Sequence, residues 1–334
     1  MLVGLVCSDE ELVEYYVQLI TEIKRFTLKA QIYFLPAHFH NPLDHISQNF
    51  LSAIWCPDTE RSIDIAADND VPSVSHTAFQ LISRNDINTV VIAGHAAHSA
   101  LFCMQAQALK KKAICIGTAA LSEQTAQLLA EFSEKHNTFL QIIYPLKYST
   151  PVELIKANIA EIGSIQSISV EATFEQPHDA KHRLYNECNT VLHQVSHEIV
   201  DTLSTICGCN PIPIATTCHQ RSSLVEHFRL QELQYMHMQI AFSNTVASIR
   251  FAGNTTKTLV LRINGELGFF QLDPRMLILE GCGDRRVMWR GDGTMESIIR
   301  TGTVKALENC DCNKLSTDVN ELSLVQCVSI CRFI

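Results

Sequence analysis

His193, His197 and Asp201 recur at i, i+4 and i+8, so they share one face of any helix drawn through 190–206. An imidazole oriented by a carboxylate is a general acid or base. Two histidines at i, i+4 can also grip a metal. A polar helix face with no chemical role would use the same residues, and the pattern alone leaves these alternatives open. A second group, His38, His40 and His45, falls in AHFHNPLDHISQNF, which reads as a polar loop rather than a metal cluster. The thirteen cysteines show only C-x-C pairs at short range, Cys207/Cys209 and Cys310/Cys312, which is not zinc-ligand spacing. They read as reduced structural thiols of a cytoplasmic protein. Near the start, Ser8 with Glu11 three residues on has the form of a capping box that opens a helix over 12–23.

These residues need elements to hold them, and Asn85–Thr125 organises the elements. Two short Val/Ile-rich runs, 89–93 and 113–116, flank a helical segment over 97–112. Strand, helix and parallel strand make one slice of a doubly wound sheet, whose ligands sit beyond the strand carboxyl ends. The same alternation runs through strands at 2–6, 30–35, 51–55, 71–74 and 139–144 and helices at 58–69, 77–82 and 122–135. A helix over 152–162 stops at Gly163. The period then changes to two, over 165–174, 235–242, 246–251, 259–263, 267–272 and 276–279, with turn signals at Ser243-Asn244 and Asn264-Gly265. One helix over 190–206 and a closing helix near 319–330, placed to pack back, complete the second half. The expectation is a Rossmann-like α/β domain over 1–122 and an α+β domain with an open, largely antiparallel sheet over 123–334.

Composition narrows the function classes. The chain has 334 residues, 46% hydrophobic and 18% charged, with net charge -9 and no basic run longer than Lys110–Lys112. That argues against nucleic-acid binding. No apolar run reaches membrane-span length, and the first residues lack the form of a signal peptide.

Four blocks resemble the Gfo/Idh/MocA family of NAD(P)-dependent oxidoreductases. Asp86–Ala93 followed by His98 and Ala108-Leu109 is similar to the family's D-I-D-x-V-x-I-A-T-P … H … A-L block. The segment 53–70 with Val71-Pro72 resembles the stretch leading to its G-V-P. Ile162-Gly163-Ser164-Ile165 resembles its I-G-x-I, and His197…Asp201…Gly208 its H-x-x-D helix. The resemblance implies a dinucleotide site on the first half, at positions Cys7, Asp9, Leu12, Cys56, His95, His98 and Thr118. It implies a catalytic face that draws on His193, His197, Asp201 and the basic Lys147, and self-association through the second sheet.

The chemistry departs from that pattern. Cys7, Asp9 and Leu12 fall where the family has the glycines that let backbone approach a pyrophosphate. Cys56, with Asp58 two residues on, replaces the ribose-binding acid. Gly117-Thr118-Ala119 replaces the E-K-P that supplies the catalytic lysine, and a threonine is no cationic donor. In the last motif the His-to-Asp spacing is one residue too long: if Asp201 is aligned, Glu198 takes the histidine's place. Lys147 reads as a surface lysine. The expectation is a non-catalytic binding, regulatory or scaffold protein with no dinucleotide cofactor and no metal, associating with a protein partner or itself through the second sheet. The alternatives are a divergent NAD- or NADP-dependent dehydrogenase of a sugar, polyol or diol, and a structural homodimer in a larger assembly.

Overall fold

The structure, a computed structural model, describes residues 3–8, 12–21, 51–94, 96–175, 190–225, 228–254, 257–281 and 283–308. The expected strand at 30–35, the histidines of 38–45 and the closing helix at 319–330 lie outside them. The chain divides into two compact units, built mainly on Met1–Ala120 with Gln124–Ile143 and on Tyr144–Lys305.

Among the described residues, the first unit holds a five-stranded parallel sheet. Its strands are β1 (Val3–Cys7), β2 (Leu51–Trp55), β3 (Thr89–Ala93), β4 (Lys112–Ile116) and β5 (Leu140–Ile143), in the order β2-β1-β3-β4-β5. The reversal of strand order places the end of β1 between those of β2 and β3, where such sheets take their ligands. Helices α1 (13–21), α2 (Thr59–Asp68), α3 (Ala78–Ser83), α4 (Ala96–Ala108) and α5 (Glu123–His136) connect the strands. The strands are continuous apolar runs because both faces are covered: Val3, Leu5 and Val6 are at most 1% exposed. Burial of each such side chain contributes about 1.5–3 kcal/mol. Gly4 is the gap in that run. A Cβ there would stand 2.6 Å from Leu81 and 2.9 Å from Ile87, so its absence lets α3 lie close on β1. The expected domain boundary at residue 122 falls before α5 and β5, yet β5 pairs with β4 from Ala113↔Leu140 onward and completes the first sheet.

The second unit opens with a 3-10 turn (Pro145–Tyr148), α6 (Thr150–Asn158) and a further 3-10 turn (Ile159–Ile162) ended by Gly163 at φ 73°. Its eight-stranded sheet comprises β6 (Ile165–Glu175), β7 (Pro211–Val225), β8 (Phe228–Phe242), β9 (Thr245–Asn254), β10 (Thr258–Gly265), β11 (Gly268–Leu272), β12 (Met276–Gly281) and β13 (Asp284–Arg290). The order is β13-β12-β11-β10-β6-β9-β8-β7, antiparallel except for the β6/β9 pair. Helices α7 (Thr190–Cys207) and α8 (Met295–Glu308) belong to the same unit. One sheet face forms a single core with α6, α7 and α8: Met236, Met238, Ile249, Phe251 and Leu261 pack with Ile155, Leu203 and Ile298. The alternation therefore has a settled phase. Tyr235, His237, Val246, Ser248 and Arg250 take the outer face. Met236, Met238, Ile249 and Phe251 take the inner face, which the helices cover.

Candidate functional site

Two clusters carry the residues singled out by the sequence, one in each unit. In the first unit they sit at the carboxyl edge of the sheet. Cys7 ends β1 fully buried. The next amide, Ser8 N–H, donates to Ala93 O at 3.1 Å and continues the β1/β3 ladder. Cys56 follows β2 and is buried; its thiol donates to Asp58 O at 3.0 Å and lies 2.9 Å from Ser62 Oγ. Asp58 is the N-cap of α2, its Oδ1 accepting from Arg61 N–H at 3.0 Å. The acid nearest the expected ribose position thus already satisfies a helix end. Thr118 follows β4 and the positive-φ Gly117, and is 3% exposed. His98 is exposed on α4, and Leu12 is 36% exposed just before α1. Asp9, Glu11 and His95 lie outside the described residues, and the expected capping box with them.

In the second unit the cluster forms where α7 meets the first 3-10 turn. Ser196, His197, Asp201 and Thr202 on α7 are buried. Lys147 Nζ reaches Asp201 Oδ2 at 2.9 Å, with side-chain exposures of 10% and 6%, and stands 5.2 Å from the centroid of the Tyr148 ring. Lys147 is therefore half of a nearly buried ion pair and not the surface lysine its sequence context suggests. Glu198, one residue beyond His197, accepts from Leu146 N–H at 2.8 Å. Burial pushes the Glu198 carboxyl up to about 7; the Leu146 bond opposes this and the Asp201 charge adds to it. Tyr144, 2% exposed, meets the His197 ring edge-on at 6.4 Å. His193 lies on the same helix, and its side chain is outside the described residues.

The turn that faces α7 is itself clamped. Ser149 Oγ donates to Leu146 O at 2.6 Å. Lys305 on α8 donates to Thr150 Oγ1 at 3.1 Å and Glu153 Oε2 at 2.5 Å. A Cβ on Gly302 would run into the Pro145 carbonyl, so α8 presses directly on the turn. The structure thus brings together His197, Asp201 and Lys147 and adds Glu198 and Tyr144. Sequence reasoning placed Glu198 only as an alignment alternative and missed Tyr144; its aromatic position just before Pro145 was the available signal. Among the described residues no three His, Cys, Asp or Glu side chains gather to hold a metal ion.

An α/β sheet of this order, followed by an open mostly antiparallel sheet, is an architecture the chain shares with solved oxidoreductase structures. Biliverdin reductase from Synechocystis sp., solved with biliverdin and NADP+, matches at TM-score 0.71 and 12% identity, over 99% of this chain and 96% of that one. UDP-N-acetylglucosamine 3-dehydrogenase from Acidithiobacillus ferrooxidans matches at TM-score 0.73 and 10% identity, over 100% and 96%. An oxidoreductase from Agrobacterium radiobacter, solved with NAD+, L-tartaric acid and magnesium, matches at 0.69 and 14%, over 99% and 94%. The chain has the fold of the Gfo/Idh/MocA-type oxidoreductases. No protein-family profile and no curated protein matches it by sequence.

Proposed function

We propose that the chain is a divergent Gfo/Idh/MocA-like protein that does not transfer hydride and uses the scaffold for binding or regulation. The observation that carries this reading is Thr118, buried after β4 where the resemblance puts a lysine. A hydroxyl supplies neither the positive charge nor the proton relay that a substrate alcohol needs. The first sheet's edge is also a poor cradle for NAD or NADP. Cys7 brings a Cβ and a thiol to the β1 end, the Ser8 amide is bonded to Ala93 O, and the Asp58 carboxylate caps α2. In sequence, three acids, Asp9, Glu10 and Glu11, follow β1 directly. The partner in this reading is a protein or a second copy of the chain, through the outer face of the second sheet. Seven cysteines outside any disulfide among the described residues, four of them buried, fit a cytoplasmic setting. No helix among the described residues is long and apolar enough to cross a membrane.

One observation favours a second reading, a divergent NAD(P)-dependent reductase of a sugar, polyol or diol. Glu198 with a pKa of about 7, beside the Lys147–Asp201 pair, is suited to moving a proton near neutral pH. The two readings separate in one experiment. Calorimetric titration with NADH and NADPH, with absorbance followed as sugars, polyols and their keto forms are added, is expected to give no saturable heat below millimolar and no turnover. Micromolar binding with cofactor oxidation would overturn the first reading and establish the second.

A further inference from the structure

Helix α7 ends on Cys207, and Gly208 and Cys209 follow it. Gly208 has φ 65°, in the left-handed region that closes helices. Its N–H donates to Ser204 O at 2.9 Å, and Ser204 Oγ donates to Cys209 O at 2.9 Å, so the turn is pinned to the helix end. Two peptide steps folded by such a turn hold the Cys207 and Cys209 Cα atoms about 5–7 Å apart, the range a disulfide bridges. Both side chains are half-buried against the core of the second unit. Gly208 between them is exposed, and a Cβ there would meet nothing within 4 Å, so the pair opens to solvent. Burial pushes the Cys207 thiol up to about 12, and the charge of Cys209 adds to the rise, so the two sulfurs share one environment. The other described cysteines lack this combination. Cys103 and Cys115 share a hydrogen bond but are 0% exposed, and Cys7 and Cys56 are buried as well. Cys218 is exposed on β7 without a neighbouring cysteine in sequence.

We propose that Cys207 and Cys209 form a reversible redox site, a dithiol that a low-molecular-weight disulfide converts to an intramolecular disulfide, with Cys209 as the attacking sulfur. Glutathione disulfide is a co-reactant of that class. The Cys209 thiolate attacks one sulfur of it, forms a mixed disulfide and expels one glutathione thiolate. Cys207 then gives up its proton and attacks the Cys209 sulfur. The second glutathione leaves as the Cys207–Cys209 bond forms. One disulfide and two thiols go in, and one disulfide and two thiols come out. The order of attack follows from the environments. A thiol held near 12 is almost entirely protonated at neutral pH, so Cys207 reacts only when the mixed disulfide is already beside it. A ring closed across a single glycine is tight, and tight, exposed disulfides are the easily reduced ones, as a switch requires. Both thiols are free in the structure, and disulfides of cytosolic proteins are transient and redox-sensing. The site is separate from the edge of the first sheet and holds whether or not that edge takes a cofactor.

The full chain is incubated at neutral pH with glutathione disulfide. Its remaining thiols are then alkylated under denaturing conditions and mapped by tandem mass spectrometry. The expected result is joint loss of alkylation at Cys207 and Cys209, with two hydrogens lost from that segment and no glutathione retained on either. Excess reduced glutathione should restore both thiols. In Cys207→Ser, Cys209 should keep one glutathionyl group. In Cys209→Ser, Cys207 should take up glutathione roughly ten-fold or more slowly than Cys209 does in the first variant, because so little of it is thiolate. Full alkylation of both cysteines after exposure overturns the proposal. A glutathionyl group retained on either cysteine of the native chain also overturns it, as does a disulfide from either to a third cysteine. Equal uptake by the two variants overturns the assignment of Cys209 as the attacking sulfur.

Discussion

Glu198 and Asp201 lie one helical turn apart on α7 and meet different environments. Asp201 has the Lys147 ammonium at 2.9 Å, while Glu198 accepts from the Leu146 amide and is desolvated by its surroundings. Its carboxyl therefore rises from 4.5 to about 7. A carboxyl whose pKa is raised by folding binds more protons in the folded state. Its favourable contribution is complete below pH 4.5 and is lost as pH climbs through about 7. Glu198→Gln keeps the acceptor for Leu146 and removes the titration. The melting temperature of the variant should change less between pH 4.5 and 7 than that of the native chain, and above pH 7 it should be the more stable by up to about 3 kcal/mol. Parallel melting curves across that range would contradict the assignment. For Lys147→Met the expected loss is about 3–5 kcal/mol, because the Asp201 carboxylate stays buried without its cation. Adding Asp201→Asn should recover part of it. Denaturant unfolding of the two single variants and the double variant measures the coupling.

At the scale of elements, the parallel half was legible because each signal was local. Apolar Val/Ile runs gave β1 to β5, and Asp58 and Thr77 stand at the caps of α2 and α3 where their residue types suggest. In the second half, period-two alternation located β6 and β8 to β12. It missed β7, whose Pro211, Ile212, Pro213 and Ile214 do not alternate; as an edge strand it tolerates proline on its unpaired side. It also missed β13, where Asp284, Arg285 and Arg286 read as a polar loop, and α8, which has Gly302 in its interior. That glycine is explained by packing alone, and the sequence does not show what lies against it. Gly302→Val should push α8 off the Pro145 carbonyl and cost about 1–3 kcal/mol, as overpacking does. The same displacement moves Leu146 away from Glu198, so the pH dependence of the variant should flatten toward that of Glu198→Gln. A variant that melts as the native chain does would show that the turn yields freely. For the same reason the candidate site was half visible. His197 and Asp201 announced themselves by spacing on one helix and Lys147 through the resemblance, whereas the Lys147–Asp201 pairing and Tyr144 come only through the tertiary fold.

At the scale of the molecule, the open question is the outer face of the eight-stranded sheet. The strand pairings run Ile212, Ala241, Val246, Ser167, Asn264, Phe269, Glu280 and Arg285 as one cross-strand row. Ile212 is 62% exposed and Val246 44%. Beside this apolar end lies a hydrogen-bonded polar ladder. His237 Nε2 is 2.8 Å from Ser248 Oγ, Asn264 Nδ2 donates to Ser167 Oγ at 3.0 Å, and Arg262 stacks on Phe269 at 3.9 Å. An apolar patch rimmed by satisfied polar groups is how protein interfaces are built. Eight strands spaced about 4.8 Å apart span roughly 34 Å, so the face is wide enough for the ~800 Å² per partner of a stable interface. The expectation is a homodimer at micromolar concentration by size-exclusion chromatography with light scattering. Val246→Glu changes a residue 44% exposed on the face opposite the core, so it should change the melting behaviour of the monomer little and shift the mass to that of one chain. A native chain that elutes as a monomer would remove the self-association proposal. A dimer insensitive to Val246→Glu would move the contact off this face.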